Sequence, residues 1–236
     1  VTRVSAPIDR DGVARRLDDL RARIETSSCD PAAVRIVAVT KGFGPEAVEA
    51  ARAAGLTEVG ENYADELLAK AAAEEEGTPA VAWHFLGAVQ RNKVARLAPL
   101  VSCWQAVKRV EEGRAIARRR PGAAVLVQVD VAGLPARGGC PPAAVPALVD
   151  ALRQEDLAVE GLMAVGPPGP PESARPGFVL VSSLADRLHL PVRSMGMSDD
   201  LDVALAEGST MVRVGRALFG ERAPGPASGG TGGGSR

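Results

Sequence analysis

Histidine, cysteine and aromatic residues are all scarce in this chain. Its 236 residues include two His, three Cys, two Trp, one Tyr and four Phe. Two histidines, His84 and His189, cannot supply a three-histidine metal site and leave little room for Ser-His-Asp catalysis. Cys29, Cys103 and Cys140 are far apart, odd in number and without metal-ligand spacing. They read as reduced thiols, not as a disulfide framework or a metal site. No apolar run is long enough to span a membrane and no secretory signal opens the chain, so a soluble, cytoplasmic protein is expected. Neither sign of charge dominates: 28 Lys and Arg meet 29 Asp and Glu. No global field therefore draws the chain to nucleic acid or to an anionic membrane. The densest basic run, Arg114 to Arg120, ends a predicted helix, where cations favour the C-terminus and water solvates them.

What is abundant is aliphatic. The chain is 46% hydrophobic, so Val, Leu, Ile and Ala must build the core. From Asp11 to Thr26, Val13, Leu17, Leu20 and Ile24 fall on one face of an amphipathic helix. Eight strand candidates follow: Val34–Gly42, Thr57–Gly60, Val81–Gly87, Leu100–Val107, Ala124–Val131, Val159–Val165, Pro191–Met195 and Thr210–Val214. Helices are predicted between them over Pro45–Ala54, Tyr63–Glu76, Arg91–Pro99, Arg109–Arg119, Pro142–Glu155, Pro176–Leu188 and Asp200–Ala206. Gly166–Pro171 is a proline-rich break. The alternation predicts an α/β fold, a single (β/α)8 TIM-type barrel with an extra N-terminal helix, and an open doubly wound sheet is the alternative. The barrel is expected over residues 1–222. Residues 223–236, rich in Gly, Ser and Pro, read as a disordered tail.

The first strand ends in Val39-Thr40-Lys41-Gly42. Alternation puts Val37, Val39 and Lys41 on one face and Ile36, Ala38 and Thr40 on the other. Lys41 would then stand at the C-terminal rim of the barrel, where such enzymes carry their sites. Partial burial there favours the neutral amine that condenses with an aldehyde, whereas the bland reading is a solvated lysine. Gly42-Phe43-Gly44-Pro45-Glu46-Ala47 also satisfies a dinucleotide-binding pattern, with Glu61 as the acidic ribose ligand, but the proline and the preceding lysine make it an odd fingerprint. Asn62 either meets a ligand or caps the next helix. His84 is an acid/base candidate or, more simply, a satisfied core histidine. Gln90, Asn92 and Lys93 have the same two readings, ligand contact or helix capping. Ser194–Asp200 and Arg213–Arg216 follow the last two strands, where barrels often bind phosphate through hydroxyls, backbone N–H groups and helix N-termini.

Together Val-Thr-Lys41, Gly-Glu-Asn62-Tyr63, Trp83-His84-Phe85 through Lys93, Ser194-Met-Gly-Met-Ser198-Asp-Asp and Met211-Val-Arg213-Val-Gly215 to Gly220 resemble a known family. It is that of the pyridoxal-phosphate homeostasis proteins (YggS-type), related to the N-terminal barrel of alanine racemase. The likeness implies that Lys41 holds pyridoxal 5′-phosphate as a Schiff base. It implies that Ser198 and the backbone near Gly215 and Arg216 hold the phosphate, that Arg213 faces the pyridine nitrogen, and that Asn62 lies near the ring. The chain departs from the pattern at Leu86, Ala88, Ala106, Lys108 and Arg137, and Ala106 removes a hydroxyl near the cofactor.

An arginine beside the pyridine nitrogen weakens the ring as an electron sink. The second proton donor of a racemase, a tyrosine from a further domain, has no counterpart here, where Tyr63 is the one tyrosine. The reading therefore favours a monomeric carrier that supplies or buffers the cofactor, with pyridoxal-phosphate-dependent apoenzymes as its recipients. The alternatives are a racemase-like enzyme using the Lys41-bound cofactor and a cofactor-independent Schiff-base aldolase.

Overall fold

The computed structural model describes residues 8–27, 30–134 and 138–220. Eight parallel strands close a barrel in chain order. They are β1 (Arg35–Val39), β2 (Glu58–Glu61), β3 (Ala82–Phe85), β4 (Val101–Val107), β5 (Ala124–Gln128), β6 (Ala158–Met163), β7 (Val192–Ser194) and β8 (Met211–Val214). Closure is sealed by β1 against β8, with Val37 opposite Arg213. The predicted (β/α)8 barrel is present and the open sheet is excluded.

The extra N-terminal helix is α1 (Arg10–Glu25). Asp9 caps it by accepting from the Gly12 N–H at 2.9 Å. Its buried stripe is the predicted one, Val13, Leu17, Leu20 and Ile24. Each of these contributes about 1.5–3 kcal/mol when fully buried, enough to seat α1 on α2 (Glu46–Ala53) and α9 (Arg216–Phe219). The other helices are α3 (Ala64–Ala72), α4 (Arg91–Leu97), α5 (Val110–Ala117), α6 (Val145–Gln154), α7 (Arg175–Arg187) and α8 (Leu201–Ala206).

Alternation along the strands divides the core in two. Val37, Cys103, Ala106, Leu126, Met163, Val192 and Met211 fill the barrel. Ala38, Trp104, Leu162, Phe178 and many other apolar side chains lie between strands and helices. Val37 inside and Ala38 outside are the faces read from the sequence.

Several boundaries move for local reasons. The predicted Tyr63–Glu76 helix stops at Ala72, because three consecutive glutamates after it would face the negative end of the helix dipole. The Pro142–Glu155 helix opens as a 3-10 turn over Pro142–Ala144. The Ala124–Val131 strand ends at Gln128, and Val129 makes an isolated bridge to Cys140. The proline-rich break runs into a 3-10 turn at Pro171–Ala174. The single-turn α9 is an addition. The expected tail, Cys29 and Arg137 lie outside the described residues. Among the described residues, no helix is long and apolar enough to cross a membrane, and no group of three His, Cys, Asp or Glu side chains could hold a metal.

Candidate active site at the barrel rim

A cavity of about 500 Å³ opens at the C-terminal ends of the strands, and all six predicted site residues line it: Lys41, Asn62, Ser198, Arg213, Gly215 and Arg216. Lys41 stands just past β1, in a turn that the Phe43 N–H closes onto the Thr40 carbonyl at 3.0 Å. Gly42, with φ 76°, takes the left-handed position in that turn. Asn62 follows β2 and does not cap the next helix; Tyr63 occupies the N-cap position, without a side-chain bond. The Asn62 Oδ1 atom is buried with no protein partner. The loop after β3 runs directly against this residue, since a Cβ on Gly87 would lie 1.9 Å from the Asn62 carbonyl oxygen.

Two loops form the opposite wall. The Ser198 hydroxyl accepts from the Ala217 N–H at 3.1 Å, which ties the loop after β7 to the start of α9. Asp200 steadies the same loop by accepting from the Met197 N–H at 2.6 Å. Arg216 pairs with Asp199. Gly215 brings its loop close over β1, where an added Cβ would stand 3.1 Å from the Val39 carbonyl oxygen.

Arg213 points in from β8 and is buried. It donates to the Ser194 carbonyl at 2.6 Å, the Ser194 hydroxyl at 2.7 Å and the Ala164 carbonyl at 2.7 Å. Burial lowers its pKa to about 10, with Asp200 opposing the shift. It is therefore still a cation at neutral pH.

Beneath Arg213 a polar chain runs down the barrel axis, unforeseen in the sequence. The Ser194 hydroxyl donates to Gln105 Oε1 at 2.7 Å, and Gln105 Nε2 meets His84 Nδ1 at 2.7 Å. His84 Nε2 then faces Glu58 Oε2 at 3.3 Å, and Arg35 donates to Glu58 Oε1 at 2.8 Å. With Gln105 donating, His84 accepts at Nδ1 and carries its proton on Nε2, toward the carboxylate. His84 is thus a core histidine bonded at Nδ1, while its Nε2 and the facing Glu58 Oε2 are buried without forming a hydrogen bond. Alternation held the clue to its neighbour, because Gln105 lies two residues from the inward-facing Cys103.

Ala106 is buried in the inner layer and does not line the cavity, whereas Leu86, Ala88 and Lys108 do. Glu61 is fully buried and paired with Lys70 of α3, which removes it as a ribose ligand and with it the dinucleotide reading. A more open hollow at the other mouth of the barrel, lined by Arg21, Ile24, Leu56 and Glu58 among others, brings together none of the predicted site residues.

Fold and rim together define a barrel of the alanine racemase type. The family described as alanine racemase, N-terminal domain, matches residues 8–223. The pyridoxal phosphate homeostasis protein of Pseudomonas aeruginosa is 37% identical over 227 residues, covering 92% of this chain and 98% of the relative. That of Bos taurus is 34% identical over 210 residues, covering 80% and 77%. Among solved structures, PipY of Synechococcus elongatus with PLP bound is 31% identical, with a TM-score of 0.76, covering 88% of this chain and all of that one. The chain belongs to the pyridoxal phosphate homeostasis protein family. An alanine racemase of Clostridium difficile, 16% identical with a TM-score of 0.70, covers 95% of this chain and 61% of its own, and that likeness carries the fold alone.

Proposed function

We propose that the chain binds pyridoxal 5′-phosphate at this rim, with the Lys41 amine condensing with its aldehyde as a Schiff base, and that it supplies or buffers the cofactor. The observation that carries the reading is the composition of one cavity: an amine just past β1, a hydroxyl and glycine loops after β7 and β8, and a buried cation between them. Bound there, the cofactor supplies an electrophilic aldehyde and a conjugated pyridine ring.

Each residue has a separable task. Ser198 and the backbone about Gly215 and Arg216 hold the phosphate, and the Arg216 guanidinium adds charge at the rim. The unpartnered amide oxygen of Asn62 meets the ring edge. Arg213, kept cationic and pinned by three acceptors, disfavours protonation of the pyridine nitrogen and so dampens carbanion chemistry. That supports a carrier over an efficient racemase.

The finer reading has the chain as a cytoplasmic monomer whose recipients are pyridoxal-phosphate-dependent apoenzymes. The near-balanced charge and the absence of a membrane-spanning helix among the described residues are consistent with it. The test is the visible spectrum of the protein before and after borohydride, with Lys41→Ala as control. A wild-type protein that stays colourless after incubation with the cofactor, and gains no mass on reduction, overturns the reading. Rapid α-proton exchange in amino acids by the loaded protein would favour the racemase-like alternative.

A further inference from the structure

Lys41 is flanked by two peptide groups that are both held from outside the barrel. On its N-terminal side the Thr40 carbonyl accepts from the Lys70 ammonium at 2.7 Å, in addition to its turn bond. On its C-terminal side the Gly42 N–H donates to Glu66 Oε2 at 2.7 Å. Lys70 and Glu66 lie one turn apart on α3, with Nζ and Oε2 3.9 Å apart. Lys70 also pairs with Glu61 Oε1, which accepts from the Thr40 hydroxyl at 2.7 Å. The Lys70 and Glu61 side chains are 4% and 0% exposed, so this is a charged cluster buried behind the turn that presents the amine.

Stability alone is a poor reason for such a cluster. Burying both charges costs desolvation that their attraction offsets only partly, and an apolar pair of similar volume is often as stable. The geometry accounts for it differently, because every member reaches the Thr40–Gly42 backbone directly or through one neighbour. We propose that Lys70, with Glu61 and Glu66, is a positioning residue for Lys41. It clamps the two peptide groups on either side so that the amine is presented to the cavity in one orientation. The proposal rests on Lys41 as the reactive amine but not on the identity of the aldehyde.

The Lys70→Met/Glu61→Gln double variant tests it, since it removes both charges together and keeps an acceptor for Thr40. Three readouts apply: the unfolding midpoint, hydrogen exchange at the Gly42 N–H, and the rate at which Lys41 of the empty protein is labelled by a small amine-reactive reagent, located by mass spectrometry. Pyridoxal 5′-phosphate loading is followed in parallel. The expected result is a midpoint close to wild type, faster exchange at Gly42, and labelling and loading altered by about tenfold, the scale on which loss of orientation shows. Labelling and loading within about twofold of wild type would overturn the clamp, being far below what a misplaced reacting group costs. If the double variant does not fold, Glu66→Ala, which frees the Gly42 N–H at a partly exposed position, replaces it, and unchanged exchange and labelling overturn the proposal there too. If wild type never takes up the cofactor, the functional reading fails while the Lys41 labelling still decides the clamp.

Discussion

Replacing Gln105 by leucine interrupts the axial chain at its centre with little change in volume. The side chain is fully buried, so neither partner regains water. His84 Nδ1 loses a donor at 2.7 Å and the Ser194 hydroxyl loses its acceptor at 2.7 Å. Each stranded group costs about 1–3 kcal/mol. The new leucine offsets about 1.5–3 kcal/mol through apolar burial. The mid-range difference is a net loss of about 2 kcal/mol, read as a lower urea midpoint with an unchanged slope. Because the chain is connected, Gln105→Leu combined with His84→Leu should cost less than the sum of the singles, by about 1 kcal/mol or more. A single variant within about 0.5 kcal/mol of wild type, or a strictly additive pair, would show that the chain is a set of independent contacts and refute the reasoning.

Three further outcomes are expected. Burial pushes the Glu58 carboxyl up, but the facing His84 ring N–H and the hydrogen bond and charge of Arg35 more than offset this and hold it below its usual value. A carboxyl lowered in the folded state contributes stability above its unfolded pKa that is lost as pH falls. The thermal midpoint should therefore drop as pH falls below about 4.5, the ordinary value for Glu, and Glu58→Gln should flatten that part of the profile. Trp104 is fully buried and packs edge-on to Phe85 at a centroid distance of 5.6 Å, so Trp104→Ala should cost about 3–5 kcal/mol in denaturant unfolding. Burial raises the Cys103 thiol to about 12; it should resist iodoacetamide in the native protein and react once unfolded, as peptide mapping would show.

Much of this architecture is legible in the sequence because short aliphatic strands separated by amphipathic helices have few other solutions. Lys41, Ser198 and Arg213 stand at or just beyond strand ends, so the barrel count alone brings them to one rim. The buried charges behind and beneath the site were harder to see. Lys70 sits in Ala-Lys-Ala-Ala-Ala-Glu-Glu-Glu, which reads as a solvated helix end, and its burial depends on Glu61 arriving from β2. Gln105 and Ser194 come from strands on different sides of the barrel, and no local pattern announces their meeting. Asn62 has the composition of a helix cap, and only the turn at Tyr63 shows that it does not act as one.

The occupied axis also limits traffic. Arg213, Ser194, Gln105, His84 and Glu58 fill the space between the two mouths, together with Val37, Leu126 and Met163. The barrel is thus a cup with a floor and not a conduit. Whatever enters past Lys41 must leave by the same opening, so delivery and collection cannot proceed at once.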